Sequence, residues 1–230
     1  MNLPPNDSSE CNDRFNLVRV DSPPLCGENN WLAIRIWNSG ANLLPYPVRL
    51  RRGRLILLSG TGEVVTGLLC DMNDRHLEDY QTIWKGILTA TDQPDRYWMW
   101  SYKLHQTNRE ARYEAYAIEV DELTQGLMFL ETQWHRSQLP QEGPLVYLEA
   151  LAAAPWNRRL LEDPPYLTGV GRSLLLFARQ RSLELGYGGR VGPHALPGSE
   201  GFYRRSQMTS YGDDPDKEGL VYFEYGFLRR

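Results

Sequence analysis

Three features of this chain carry residue types that can do chemistry. The first is Glu149, a lone acid in the apolar run Leu145-Val146-Tyr147-Leu148-Glu149-Ala150-Leu151-Ala152-Ala153-Ala154. The second is Gly169-Val170-Gly171-Arg172, which opens an amphipathic stretch. The third is Tyr203, in Gly201-Phe202-Tyr203-Arg204-Arg205. Glycines let the backbone turn tightly, and the first turn of a helix has unpaired N–H donors and a positive dipole end. A strand leading through glycines into a helix therefore attracts phosphate. Arg172 in that turn, with Arg158 and Arg159 in the preceding loop, can add charge-assisted bonds. Two glycines alone are a weak signal. Leu174 stands where the dinucleotide fingerprint has its third glycine, and no Gly-Lys-Ser/Thr follows to make a P-loop.

Glu149 and Tyr203 are candidates for moving protons. By strand alternation Glu149 shares a face with Tyr147, Leu151 and Ala153. Buried there, its charged form would be disfavoured, which suits general-base work. It can equally point outward at a solvated edge or pair with an arginine such as Arg112. Glu131 is the second choice of base, and His194 an alternative, although a lone histidine is more often structural. Tyr203 can donate a proton, or simply pack in the core.

The elements that must position these residues follow from periodicity and turn residues. Residues 55–58 and 63–70 read as a hairpin across Ser59-Gly60-Thr61-Gly62. Residues 74–89 read as a helix with Asp74 as N-cap, and residues 95–109 as a second helix, aromatic on several faces. Residues 112–120 and 126–134 read as strands around a turn at 121–125, and 145–154 as the next strand. A long helix spans 169–185 with Gly186 closing it, followed by a strand at 190–196, a short helix at 199–205 capped by Ser199, and a last strand at 219–225. That order predicts an α/β fold with a mixed sheet. Residues 1–30, rich in Pro, Asn, Asp and Ser, read as an extended arm, and 31–230 as one domain, with a strand at 31–37.

At 230 residues the chain can bury a sizeable core. Its net charge of −4 argues against a general nucleic-acid binder. Cys11, Cys26 and Cys70 are scattered without zinc spacing, and the N-terminus shows no signal peptide, so a reduced, cytoplasmic setting is expected. Asp214-Pro215-Asp216-Lys217-Glu218-Gly219 resembles the start of a calcium loop, but Tyr225 stands where the twelfth-position glutamate belongs, so a turn is favoured and no metal is expected. There is no Gly-x-Ser-x-Gly elbow and no HExxH. The run Arg49-Leu50-Arg51-Arg52-Gly53-Arg54 reads as a solvated strand edge.

Residues 145–208 resemble the GNAT superfamily of acyl-CoA-dependent N-acyltransferases. Tyr166-Leu167-Thr168-Gly169-Val170-Gly171 is similar to its Arg/Gln-x-x-Gly-x-Gly/Ala signature, with Tyr166 in the leading place. Phe202-Tyr203-Arg204-Arg205-Ser206-Gln207-Met208 resembles its Phe-Tyr-x-x-x-Gly-Phe/Met element, with Gln207 for glycine. The resemblance implies a mostly antiparallel central sheet flanked by helices. It implies direct attack of a primary amine, on a small molecule, peptide or protein, upon acetyl-CoA or another acyl-CoA. Leu151, Ala152, Ala153 and Ala154 would then line the pantetheine, although three alanines can also simply end a tightly packed strand. Leu167, Thr168, Gly169, Val170, Gly171 and Arg172 would hold the pyrophosphate, Glu149 would serve as base, and Tyr203 would touch the cofactor and protonate its thiolate. No nucleic-acid or membrane partner is expected. The loop at 155–168 is longer than usual and could act as a lid. With Tyr166 and Gln207 substituted, the alternative is a binding module that has lost catalysis.

Overall fold

The computed structural model describes residues 53–138 and 143–226. The expected arm at 1–30, the strand at 31–37 and most of the arginine run lie outside them. Strands β1 (Gly53–Ser59) and β2 (Val64–Asp71) form the expected antiparallel hairpin. The next stretch is helical as its period predicts, with one local departure: α1 (Asp74–Asp79) passes through a π-helical turn, Tyr80–Trp84, into α2 (Lys85–Ala90). Its cap is Asn73 rather than Asp74. The Asn73 side chain accepts from the Arg75 N–H at 3.0 Å, and the Asn73 N–H donates to His76 Nδ1 at 3.0 Å.

The helix expected at 95–109 is broken. Residues Pro94–Tyr97 form a 3-10 turn, Trp98 is extended, and α3 runs from Trp100 to Arg109. Aromatics at 97, 98, 100 and 102 cannot all face one core from a single helix. The break turns Trp98 and Trp100 inward and leaves Tyr97 and Tyr102 exposed. The Tyr80 hydroxyl, donating to the Trp98 carbonyl at 3.1 Å, fixes the bend.

Strands β3 (Tyr113–Val120) and β4 (Leu123–Glu131) meet at a two-residue turn. Asp121 and Glu122 both have positive φ, 50° and 61°, as a tight hairpin requires, so β4 begins three residues earlier than its apolar run suggests. Then come β5 (Val146–Ala153), β6 (Leu167–Thr168), α4 (Val170–Glu184), β7 (Val191–Ala195), α5 (Glu200–Arg205), β8 (Thr209–Asp214) and β9 (Leu220–Glu224). Among the described residues nine strands form one sheet in the order β6-β1-β2-β3-β4-β5-β7-β9-β8. Every pairing is antiparallel except β5 with β7. This is the expected mixed, mostly antiparallel sheet.

Each sheet face has its own core. Val170, Leu174 and Phe177 of α4 and Tyr203 of α5 pack on one side. Tyr80, Trp84, Leu88 and Trp100 pack on the other. Burial of side chains this size is worth roughly 1.5–3 kcal/mol each, so these two layers hold the helices to the sheet. Among the described residues no helix is long and apolar enough to cross a membrane.

Candidate active site at the β5–β7 split

β5 and β7 run together for only three residue pairs, Val146↔Val191, Tyr147↔Gly192 and Leu148↔Pro193. Pro193 has no N–H to continue the ladder. His194 and Ala195 pair with β9 instead. Beyond Leu148, that edge of β5 faces no strand among the described residues, and the two strands part.

A β-bulge sits at the parting point. β4 pairs Phe129 with Ala150 and then Leu130 with Leu148, so Glu149 is the extra residue. The bulge reverses alternation along β5. Val146 and Leu148 face the α4 layer before it, and Leu151 and Ala153 face that layer after it. Ala150, Ala152 and Ala154 face α1–α3. Tyr147 and Leu151 therefore do not share a face, contrary to simple alternation. Glu149 is exposed, so the burial that would have suited it to act as base is missing.

The start of α4 lies close to this split. Gly169 is its N-cap at φ 88°, left-handed backbone that favours glycine, and it offers no side chain to cap the first turn. Gly126 of β4 lets α4 approach, because a Cβ there would meet Val170 Cγ1 at 2.6 Å. Leu151 of β5 and Phe202 of α5 flank Gly171. The expected phosphate cradle is narrower than its motif. The Leu167 N–H donates to Asn157 Oδ1 at 2.8 Å, and Thr168 pairs with Leu58 of β1. Among the described residues the first-turn N–H groups of Val170, Gly171 and Arg172 have no partner. At the far end of β5, the Ala154 N–H donates to the Gln125 carbonyl and the Ala153 carbonyl accepts from Arg158 Nε, both at 2.9 Å. Those two groups already have protein partners. Gly169→Ala is expected to lower stability by roughly 1–2 kcal/mol through left-handed strain, read from a urea midpoint.

Arg158 does not reach the cradle. Its guanidinium makes a two-pronged pair with Asp95, at 2.8 and 2.6 Å. With Asn157 and Trp156 both bonded to Gln125 Oε1 at 2.9 Å, the loop at 155–168 is tied down rather than hinged. Leu123, Trp156, Glu162, Pro164 and Tyr166 line an apolar depression of about 420 Å³ beside it. Arg159 is exposed, and Arg172 is half-buried.

A chain of hydrogen bonds crosses the apex of the split. Tyr147 Oη lies 2.7 Å from His194 Nδ1, and His194 Nε2 lies 2.9 Å from Asp214 Oδ2. The carboxylate can only accept, so the ring proton sits on Nε2 and the Tyr147 hydroxyl donates to Nδ1. Burial lowers the His194 pKa below its usual value, against the raising effect of Asp214. The His194 bond holds Asp214 below the usual carboxylate range. His135 stacks on Tyr147 with ring centres 3.9 Å apart. Glu131, the second-choice base, is fully buried and spoken for. It accepts from the N–H groups of Gln133, Trp134 and His135 and from His135 Nδ1.

Tyr203 is buried, stacked on Phe223 at 5.4 Å and edge-on to Phe202 at 5.0 Å. Burial raises its pKa, which keeps it protonated. Lys103 lies over the Phe129 ring at 5.1 Å, with its pKa lowered by burial against the raising effect of Glu149. Glu149 thus acts on both Lys103 of α3 and Tyr113 of β3.

Cys70, His76 and Glu119 also lie together, with potential ligand atoms within 4.8 Å of one another. His76 Nδ1 accepts from Asn73, so Nε2 carries the proton it directs at Glu119 Oε2, 3.2 Å away. A metal on Nε2 would need the ring proton on Nδ1, where it would face the Asn73 N–H. Burial lowers the His76 pKa to about 4 and raises that of Cys70, leaving a neutral ring beside a thiol.

No protein-family model matches this sequence, and no curated protein does. Solved structures do. A GNAT-family protein from Desulfovibrio desulfuricans aligns with a TM-score of 0.49 at 12% identity, over 69% of this chain and 98% of its own. The PaiA N-acetyltransferase of Thermoplasma acidophilum, solved with coenzyme A, gives 0.48 at 11% identity, over 70% and 99%. The KacTA–DNA complex gives 0.39 at 19% identity, over 54% and 74%. These are likenesses of fold, GNAT acetyltransferases among them, at identities that do not say which residues act.

Proposed function

We propose that this chain is an acyl-CoA-dependent N-acyltransferase that moves an acyl group, acetyl in the simplest case, directly to a primary amine. The observation that carries the proposal is the split itself. A parallel pair parts after three residues, at a bulge and a proline, beside a helix whose first turn is capped only by glycine. An unpaired strand edge accommodates an amide-bearing arm by adding hydrogen bonds, and an uncapped helix start accommodates phosphate. The chain's own residues divide the work. Val170, Gly171 and Arg172 offer N–H groups to the pyrophosphate, with Gly169 letting it approach. The free edge after Leu148 orients the pantetheine. Tyr203 gives its proton to the departing sulfur, and exposed Glu149 attracts the acceptor's ammonium group to the split. Acyl-CoA supplies the activated carbonyl. The acceptor belongs to a small molecule, a peptide or a protein.

Titration calorimetry with coenzyme A and acetyl-CoA tests this reading. Binding at micromolar to low-millimolar concentration is expected, weakened in Arg172→Ala. Absence of binding up to millimolar ligand removes the proposal. Binding without transfer to any amine supports the non-catalytic module instead.

A further inference from the structure

We propose that Tyr147, His194 and Asp214 form a relay that takes the proton from the attacking amine. The proposal rests on the acyltransferase reading and assigns its base. The three groups come from β5, β7 and the end of β8, and they meet where β5 and β7 part. Their two hydrogen bonds, 2.7 and 2.9 Å, run in one direction, from the phenol to the imidazole to the carboxylate.

The balance closes without another reagent. The amine nitrogen forms a bond to the thioester carbonyl carbon, the carbon–sulfur bond breaks, and its electron pair leaves on sulfur. The nitrogen's surplus proton moves to Tyr147 Oη as the Tyr147 proton moves to His194 Nδ1. Asp214 stabilises the imidazolium. Tyr203 supplies the sulfur's proton, and transfer from the imidazolium back to the Tyr203 phenolate resets the site. In this scheme Tyr147 is the catalytic group, and His194 and Asp214 position and accept through it. Glu149, on the same strand, keeps the role of attracting the ammonium.

The groups acting on His194 are Tyr147 from β5, Asp214 from the end of β8, Lys217 from the turn after it, Tyr222 from β9 and His135 from the turn after β4. Lys217 and His135 oppose its protonation, and Asp214 favours it. The relay works only while His194 is neutral. Activity is therefore lost as pH falls through its pKa, which lies below the ordinary 6.5.

Two readouts on the full chain test the relay. Long-range proton–nitrogen NMR should show His194 with its proton on Nε2. Asp214→Asn should reverse that tautomer, because an amide can donate to Nε2. A wild-type proton on Nδ1 overturns the proposal. The second readout is steady-state transfer from acetyl-CoA to putrescine, Nα-acetyl-lysine and a peptide with a free N-terminus. Tyr147→Phe keeps the ring on His135 and should lower kcat about 100-fold with unchanged coenzyme A affinity, and Asp214→Asn should lower it about tenfold. Unchanged kcat and an unchanged acid limb in Tyr147→Phe overturn the relay and leave the acyltransferase reading standing. A wild type that binds no coenzyme A, or acetylates none of the three amines, overturns that reading and the relay with it.

Discussion

Tyr203→Phe is expected to bind coenzyme A as the parent does and to turn over about 100-fold more slowly. The ring is held by stacking on Phe223 and an edge contact with Phe202, and phenylalanine keeps both. No group among the described residues hydrogen-bonds the Tyr203 hydroxyl, so its removal costs the folded protein little. Burial pushes this hydroxyl above the usual tyrosine range. It therefore stays protonated across working pH. A departing thiolate, with a pKa of about 8.5 for an ordinary thiol, is a weaker base than this phenolate, so Tyr203 hydrogen-bonds the sulfur and hands over its proton only as it is itself reprotonated. The parent should show no alkaline loss of activity below about pH 10 from this group. Calorimetry, a thermal melt and steady-state kinetics separate the possibilities. An unchanged rate removes Tyr203 from the mechanism, and a lowered melting temperature assigns it to the core.

Most of the sheet and the long helix could be read from the sequence because each of those elements buries one continuous apolar face. Val170, Leu174, Phe177 and Ala178 mark α4 by their spacing, and all four are buried. β8 could not be read in this way. Its sequence, Thr-Ser-Tyr-Gly-Asp-Asp, is polar, and among the described residues it pairs with β9 alone. β6 is two residues long and exists only because Leu167 and Thr168 meet Ser59 and Leu58 across the fold. The bulge at Glu149 leaves no mark in composition. One extra residue in β5 changes which neighbours share a face, and Glu149 takes the outward, solvated placement of the two its strand left open. The glycines and Tyr203 were recognisable because motif spacing is local. The sequence marks Asp214 only as a turn residue. Its Oδ1 does accept from the Asp216 N–H at 3.0 Å, while Oδ2 reaches His194, twenty residues back in the chain. That second contact is tertiary and has no sequence signal beyond a histidine on the neighbouring strand.

Arg158→Ala is expected to lower the free energy of unfolding by about 3–5 kcal/mol, with the urea m-value unchanged. The cost comes from what the arginine leaves behind. Asp95 is 5% exposed, and the guanidinium fork meets both of its carboxylate oxygens. The same side chain donates to the Ala153 carbonyl at the end of β5 and to Gln93 Oε1, at 2.9 and 3.2 Å. Truncation strands a buried carboxylate and frees three elements from one another. Replacing both partners, as Arg158→Met with Asp95→Leu, should restore most of the loss, because a buried ion pair is worth little more than an apolar pair of its size. Arg158→Lys tests the geometry: a single ammonium cannot span both oxygens, so it should recover only part of the stability. Had Arg158 been a phosphate ligand, as its place before the glycines suggested, Arg158→Lys would keep coenzyme A affinity and Arg158→Ala would leave stability alone. In the structure the cost falls on folding first. It reaches the cradle only through Asn157, whose side chain holds the Leu167 N–H just ahead of Gly169.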